Sequence, residues 1–184
     1  MATIAVLALQ GAFIEHEQML QRLGCETFEV RQLSDWNRHK DGLIIPGGES
    51  TTMMRLLHDL GLYEPVRSSI ADGLPVMGTC AGMILLSAGY LGTMDIEVVR
   101  NAYGRQLGSF VATASVEGIG DDVPMVFIRA PFISRMGDKA KALSVVDGRI
   151  VAAAQANQMA CAFHPELTSD VRWHQHFIKM ILNK

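Results

Sequence analysis

One stretch of the chain predicts a strand, a sharp turn and a helix: Leu74-Pro75-Val76-Met77-Gly78-Thr79-Cys80-Ala81-Gly82-Met83-Ile84-Leu85-Leu86-Ser87. An apolar run breaks at Gly-x-Cys-x-Gly and resumes as a segment of good helix formers. The glycines let the backbone bend tightly and leave the sulfur of Cys80 uncrowded, as in the serine elbow of the α/β-hydrolases. The start of the following helix favours a thiolate. Cys80 is therefore either a nucleophile or a buried apolar residue, and this motif alone leaves both possibilities open.

Strands and helices alternate along the first half of the chain. Near-continuous apolar runs predict buried strands at residues 3–9, 27–30 and 42–45. Apolar residues at helical spacing predict helices at 12–23, 53–60 and 64–71, and residues 32–41 form a polar surface connection. This alternation predicts an α/β fold, an open three-layer α/β/α arrangement around a mostly parallel sheet.

The second half of the chain has a different pattern, which predicts antiparallel extensions of the sheet. Short strand-like runs separated by turn signals occur at residues 96–100, 110–116, 123–128, 142–146, 150–154 and 159–163. Asp147-Gly148 lies between two of these runs and is the clearest hairpin signal. An amphipathic helix at 169–182 closes the chain, and we expect residues 1–184 to form a single domain.

Composition and charge exclude several classes of partner. The net charge is −3 and no run of Lys or Arg occurs, so neither nucleic acid nor a membrane is expected as a partner. The apolar N-terminus lacks a basic region before it, and no apolar stretch approaches the roughly 20 residues that span a bilayer. Three cysteines without a framework of spacings fit a reducing compartment, so we expect a cytoplasmic protein.

A cysteine nucleophile needs a base and a group that orients the base, and His164-Pro165-Glu166 offers both. Residues two apart on an extended segment point to the same side, so the imidazole and the carboxylate are expected to be neighbours. His164 would act as general base and then general acid, and Glu166 would select its tautomer. We interpret the remaining histidines as surface or satisfied side chains: His16, His39, His58, His174 and His176. No second His/Cys pair has ligand spacing, so no metal is expected.

The third predicted strand ends in a glycine-rich loop, Pro46-Gly47-Gly48-Glu49-Ser50-Thr51-Thr52. Paired glycines at this end of a parallel strand present bare backbone N–H groups where α/β folds bind ligands. The loop is equally compatible with an ordinary strand-to-helix turn capped by Ser50 or Thr51. For an acyl-transfer site, the backbone N–H groups of Gly48 and Ala81 are the natural candidates for an oxyanion hole.

Taken together, the Gly-Gly loop, the cysteine elbow and the segment Phe163-His164-Pro165-Glu166 resemble the class I, triad-type glutamine amidotransferases. Within that class the chain is similar over essentially its whole length to the glutaminase subunits of pyridoxal 5'-phosphate synthase. The segments that carry this finer resemblance are Leu7-Ala8-Leu9-Gln10-Gly11-Ala12, Gly47-Gly48-Glu49-Ser50-Thr51-Thr52, Arg100-Asn101-Ala102-Tyr103-Gly104-Arg105-Gln106 and Phe127-Ile128-Arg129-Ala130-Pro131. Residues 88–97 are shorter than this family leads us to expect, and this departure touches none of the catalytic motifs.

The resemblance implies hydrolysis of L-glutamine to L-glutamate and ammonia through a thioester on Cys80, with no cofactor. It also implies a hetero-oligomeric partner, a synthase subunit that uses the ammonia to build pyridoxal 5'-phosphate, vitamin B6. The glutamine contacts that it implies are Gly48, Glu49, Ser50, Arg100, Ile128 and Arg129. Without the resemblance, the two arginines would be interpreted as surface ion-pairing residues.

The sequence alone is compatible with two other functions. The chain could be the glutaminase subunit of another amidotransferase, such as one for histidine or nucleotide synthesis. It could also be a non-catalytic regulatory module on the same scaffold, although the intact triad argues against that.

Overall fold

A mixed sheet with a parallel centre organises the computed structural model, which describes residues 1–100 and 108–183. The strands in chain order are β1 (Thr3–Leu7), β2 (Glu26–Val30), β3 (Gly42–Ile45), β4 (Val76–Thr79), β5 (Ile96–Val99), β6 (Ser109–Val116), β7 (Gly120–Ile128), β8 (Phe132–Met136), β9 (Lys141–Val146), β10 (Arg149–Gln155) and β11 (Gln158–Cys161). The helices are α1 (Phe13–Arg22), α2 (Leu33–Trp36), α3 (Ser50–Asp59), α4 (Tyr63–Ala71), α5 (Ala81–Leu86) and α6 (Arg172–Leu182).

The main sheet has the order β2-β1-β3-β4-β11-β10-β8-β5, and β9 pairs with β10 outside this path. The first five strands of the order are parallel, and the pairs beyond β11 are antiparallel. The predicted parallel sheet with antiparallel extensions is therefore confirmed. One strand was assigned wrongly: we grouped residues 159–163 with the antiparallel extensions, but β11 pairs in parallel with β4 and completes the parallel centre. Strands β6 and β7 form a separate two-stranded ribbon.

The helices cover both faces of the sheet, as β4 illustrates. Successive side chains of a strand point to opposite faces. Thr79 contacts His16 of α1, whereas a Cβ at the preceding Gly78 would lie 2.8 Å from the Leu86 side chain of α5. Helices α1 and α5 therefore lie on opposite sides of the sheet, and His174 places α6 with α1. The predicted three-layer arrangement is confirmed.

Two elements were not predicted. Strand β8 was missed because its sequence, Phe-Ile-Ser-Arg-Met, has neither clear alternation nor a buried run. Helix α2 is a single turn inside the predicted surface connection, closed by a capping box between Gln32 and Asp35. Helix α3 begins at Ser50, earlier than predicted, because the Glu49 side chain caps it. Residues 101–106 of the quoted Arg-Asn-Ala-Tyr-Gly-Arg-Gln segment lie outside the described residues.

The hairpin signal at Asp147-Gly148 is confirmed. The two residues join β9 to β10 with φ of 50° and 73°, and Val146 pairs with Arg149 across the turn. Positive φ at both central residues is the requirement of a type I′ turn. One buried apolar cluster extends from Ala2 to Ile181 and packs both helical layers onto the sheet. No helix in the described part of the chain has the length and apolar character needed to cross a membrane.

Candidate active site

Cys80 occupies the sharp turn between β4 and α5. Its φ is 49°, a left-handed conformation that non-glycine residues seldom adopt. The backbone N–H of Cys80 donates to the carbonyl oxygen of Cys161 at 2.7 Å, which ties the turn to the neighbouring strand β11. Local backbone strain of this kind is typical of functional positions and persists because the surrounding structure fixes it. The cysteine thus sits at the apex of an elbow, as the sequence predicted.

Glycine is required on both sides of this elbow. A Cβ at Gly78 would lie 2.8 Å from the backbone carbonyl group of Gly82, and a Cβ at Gly82 would collide with the carbonyl oxygen of Ile45. Because both obstacles are backbone atoms, they cannot move aside as a flexible side chain could. The two glycines therefore allow helix α5 to approach the parallel strands closely enough to hold the sulfur in place.

His164 and Glu166 form a buried pair in the turn that follows β11, with His164 three residues beyond the end of the strand. The Nδ1 atom of His164 lies 2.6 Å from Oε1 of Glu166, and the two residues are 7% and 6% exposed. The sequence correctly predicted that they are neighbours, but the predicted extended segment is wrong. Pro165–Leu167 form a 3-10 turn, and this turn brings the carboxylate back to the ring. The backbone N–H of His164 donates to the carbonyl oxygen of Val126, which anchors the turn to β7.

The environment of His164 favours its protonated form. Burial alone would lower the pKa of the imidazole, but hydrogen bonds with Cys80 and Glu166 oppose burial and raise this pKa to about 10. Since Nδ1 is engaged with Glu166, the Nε2 atom is the one available to Cys80. A protonated ring between a sulfur and a carboxylate is the arrangement of an activated cysteine nucleophile.

The two candidate oxyanion donors, Gly48 and Ala81, come from different loops that line one cavity together with Cys80. Ala81 is the first residue of α5, where backbone N–H groups have no partner within the helix. Gly48 lies in the loop after β3, and the preceding carbonyl oxygen of Gly47 accepts a hydrogen bond of 3.2 Å from Ala12. Because C=O and N–H point in opposite directions across a trans peptide, the N–H of Gly48 is directed away from Ala12. The role of both donors stays a prediction.

A cavity of about 420 Å³ opens above the sulfur, with Cys80 and His164 in its wall. The six residues that the resemblance implied for glutamine binding all line this cavity: Gly48, Glu49, Ser50, Arg100, Ile128 and Arg129. Sequence reasoning missed three further lining residues: Gln10, Ile84 and Pro131. A larger, shallow groove of about 580 Å³ at the β6–β7 turn contains none of the candidate site residues.

Glu49 and Arg100 are joined to each other at the rim of this cavity. Arg100 donates to Glu49 and to the Thr51 hydroxyl, each at 3.1 Å. Glu49 also accepts from the Thr52 hydroxyl and backbone N–H, both at 2.7 Å. These bonds with Thr52, supported by the backbone of Thr51, lower the pKa of Glu49 to about 2. The carboxylate is therefore a fixed negative charge that also caps α3.

The other implied glutamine contacts present mainly backbone or buried groups. The carbonyl oxygen of Ile128 lies 4.0 Å from the Cys80 sulfur. Arg129 has a φ of 44°, and its backbone N–H donates to the carbonyl oxygen of Gly108. The hydroxyl of Ser50 is buried and has no hydrogen-bond partner among the described residues. Within that same part of the chain, no group of three or more His, Cys, Asp or Glu side chains is arranged to hold a metal ion.

Two of the histidines for which the sequence predicts only surface or satisfied positions lie behind the triad. His16 and His174 are fully buried, and the Nε2 atom of His16 is 3.4 Å from Oε2 of Glu166. The signal for His16 was its position among the apolar residues of α1, beside Met19 and Leu20. A polar ring on a buried face needs polar partners, and here they are His174 at 2.9 Å and the Thr79 hydroxyl at 3.1 Å, with Glu166 as the neighbouring charge.

The fold and this cysteine-centred site define a class of protein, and the chain belongs to the SNO glutamine amidotransferase family, whose pattern it matches over residues 6–183. It is 60% identical over 184 residues to the pyridoxal 5'-phosphate synthase subunit PdxT of Methanocorpusculum labreanum, with 97% of each chain covered. It is 51% identical to the subunit of the same name from Streptococcus pneumoniae serotype 2, with 98% of each chain covered. A crystal structure of a glutamine amidotransferase superimposes with a TM-score of 0.91 at 41% identity, covering 97% of this chain and 98% of the other.

Proposed function

We propose that this chain is the glutaminase subunit of a pyridoxal 5'-phosphate synthase. The observation that carries the proposal is the approach of Cys80, His164 and Glu166 to one another in the wall of a cavity, in a chain whose relatives bear that subunit name. The activity is hydrolysis of L-glutamine to L-glutamate and ammonia. We treat residues 1–184 as one glutamine amidotransferase domain, since one buried cluster extends from β1 to α6.

The reaction proceeds through a thioester on Cys80. The sulfur attacks the side-chain amide carbon of glutamine, and the backbone N–H groups of Gly48 and Ala81 stabilise the negative oxygen of the tetrahedral intermediate. The C–N bond then breaks while His164 gives its proton to the departing nitrogen, which leaves as ammonia. Water attacks the thioester and gives a proton to His164, releasing glutamate and restoring Cys80. Glu166 stabilises the imidazolium throughout.

The cavity rim binds the amino-acid end of glutamine. The fixed negative charge of Glu49 suits the α-ammonium group, and the guanidinium groups of Arg100 and Arg129 suit the α-carboxylate. The buried Ser50 hydroxyl supplies a further polar contact, and the carbonyl oxygen of Ile128 supplies another at 4.0 Å from the sulfur. This division keeps the charged end of the substrate at the open side of the cavity and its amide at Cys80.

The ammonia passes to a separate synthase subunit, which builds pyridoxal 5'-phosphate from a pentose phosphate and a triose phosphate. The heteromeric partner is supported by the names of the relatives, each a subunit of pyridoxal 5'-phosphate synthase. A reducing cytoplasm keeps the Cys80 thiol free, so we assign the complex to that compartment.

The test is glutamine-dependent synthesis by the assembled complex. The chain is combined with a pyridoxal 5'-phosphate synthase subunit, and product formation is measured with glutamine or with an ammonium salt as the nitrogen source. We expect the wild type to use both and Cys80→Ala to use the ammonium salt alone. If the wild-type complex used only the ammonium salt, the proposed function would be wrong. Glutamine turnover with the synthase of another pathway would instead favour the alternative that the chain is the glutaminase subunit of another amidotransferase.

A further inference from the structure

A chain of buried polar side chains continues from the catalytic pair into the layer between α1 and α6. Glu166 contacts His164 through Oε1 at 2.6 Å and lies 3.4 Å from His16 through Oε2. The same Nε2 atom of His16 is 3.1 Å from the Thr79 hydroxyl, one residue before the nucleophile. The opposite ring atom, Nδ1 of His16, is 2.9 Å from Nε2 of His174. The proposed mechanism assigns no role to these two fully buried histidines.

The partners available to each ring nitrogen indicate which nitrogen of His16 and of His174 carries the hydrogen. Burial lowers the pKa of both histidines, to about 4 for His174, so each ring is neutral and carries one N–H. If His16 carried its hydrogen on Nδ1, its bare Nε2 would face the Glu166 carboxylate, and the Nδ1–H of His174 would be a buried donor without a partner among the described residues. With both hydrogens on Nε2, His174 donates to Nδ1 of His16, and Nε2–H of His16 donates to the Thr79 hydroxyl oxygen at 3.1 Å while facing Oε2 of Glu166 at 3.4 Å. The second arrangement leaves neither ring with an unpaired buried donor: the unpaired atoms are two acceptors, Nδ1 of His174 and Oε2 of Glu166, and Oε2 then faces a ring N–H rather than a lone pair.

We propose that His16 is a positioning residue of this site: its Nε2–H, 3.4 Å from the second carboxylate oxygen of Glu166, attracts that oxygen electrostatically, and His174 fixes the orientation of the His16 ring. The proposal rests on the glutaminase function proposed above. It extends the Cys80, His164 and Glu166 triad by two residues from α1 and α6. Each oxygen of Glu166 then faces a ring N–H: Oε1 is hydrogen bonded to His164 at 2.6 Å, and Oε2 is in electrostatic contact with His16 at 3.4 Å, so Oε1 stays directed at His164.

The neutrality of His16 matters for this role. The ionisable groups that face it are His174 from α6 and Glu166 and His164 from the turn after β11, while β4 contributes the uncharged Thr79. A cationic ring at this position would compete with His164 for the charge of the carboxylate. A neutral donor orients Glu166 and leaves its charge to stabilise the imidazolium of His164.

The tautomers are measured directly on the wild-type chain by nitrogen NMR of histidine-labelled protein at neutral pH. We expect His16 and His174 each to show a neutral ring protonated at Nε2. A neutral His16 protonated at Nδ1, or a charged His16, would overturn the proposal. This measurement needs no catalysis, so its result is independent of the proposed glutaminase function.

Two substitutions separate positioning from packing. The side-chain amide of Gln reaches approximately to the position of Nε2 in histidine, whereas that of Asn reaches only to Nδ1. His16→Gln therefore keeps a donor toward Glu166, and His16→Asn removes it. The exposed His39, which is hydrogen bonded to Asp41, gives matched controls in His39→Gln and His39→Asn.

Glutamate release by the assembled complex is the readout. We expect His16→Asn to lower kcat by about 10- to 100-fold with little change in KM, and His16→Gln to recover most of that loss. The alkaline limb of the pH profile should move to lower pH in His16→Asn, because His164 loses its oriented carboxylate. Equal loss in both His16 variants, or wild-type kcat in His16→Asn, would refute positioning. Absence of turnover in the wild type would instead count against the proposed function.

Discussion

The buried His174 makes folding stability depend on pH in a direction that the structure fixes. Burial lowers the pKa of its ring from 6.5 to about 4. In the unfolded chain the ring regains its ordinary pKa, so below pH 6.5 the unfolded state binds a proton that the folded state does not. The contribution to stability is therefore complete above pH 6.5 and is lost as the pH falls toward 4.

The magnitude follows from the same two values. At pH 5 the unfolded ring is protonated and the folded ring is largely neutral, so proton uptake favours the unfolded chain by about 2 kcal/mol. The neighbouring His16, whose pKa is also lowered by burial, acts in the same direction. Urea unfolding of the wild type should thus show a clear loss of free energy of unfolding between pH 8 and pH 5.

The variant His174→Gln isolates the contribution of one ring, because the amide can still donate to His16 but does not titrate. Between pH 8 and pH 5, the free energy of unfolding of the wild type should fall by about 2 kcal/mol more than that of His174→Gln. His39→Gln, on the surface, should follow the wild type at every pH. Parallel pH dependences for wild type and His174→Gln would refute the assignment of a neutral buried ring.

Three further outcomes are expected. His164→Asn should abolish glutamine hydrolysis while leaving the thermal unfolding midpoint nearly unchanged, and near-normal turnover would show that the base is misassigned. Gly82→Ala should destabilise the chain by about 1–3 kcal/mol in urea unfolding, because its Cβ meets the carbonyl oxygen of Ile45; Gly108→Ala, where the added Cβ has room, is the control. Glu49→Ala should cost about 1 kcal/mol through the lost cap of α3 and raise the KM for glutamine, and an unchanged KM would remove Glu49 from the binding site.

The sequence predicted the parts of the fold that local patterns determine. The buried run of β3, the elbow at Cys80 and the Asp147-Gly148 turn each carry their signal within a few residues. The position of β11 between β4 and β10 could not be predicted this way. Its neighbours come from distant parts of the chain, and an apolar strand of four residues does not reveal whether its partners are parallel or antiparallel.

The sequence likewise predicted some parts of the candidate site and not others. Cys80, His164 and Glu166 were predicted from residue chemistry and short motifs, although the geometry joining the last two is a 3-10 turn. The contact of His16 with Glu166 was not predicted, because it joins residues 150 positions apart through the packing of α1 against the turn after β11. Only the tertiary arrangement distinguishes such a histidine from a buried histidine whose hydrogen bonds lie away from the site.

In the proposed mechanism, Cys80 forms a thioester with the γ-glutamyl group and His164 gives its proton to the departing nitrogen. The most direct measurement is mass spectrometry of the assembled complex after rapid acid quenching of a reaction with glutamine. We predict a γ-glutamyl group on the peptide that contains Cys80, absent from Cys80→Ala and present on no peptide that contains Cys25 or Cys161. Steady glutamine turnover with no modification of Cys80 at any quench time, together with undiminished turnover in Cys80→Ala, would contradict the account.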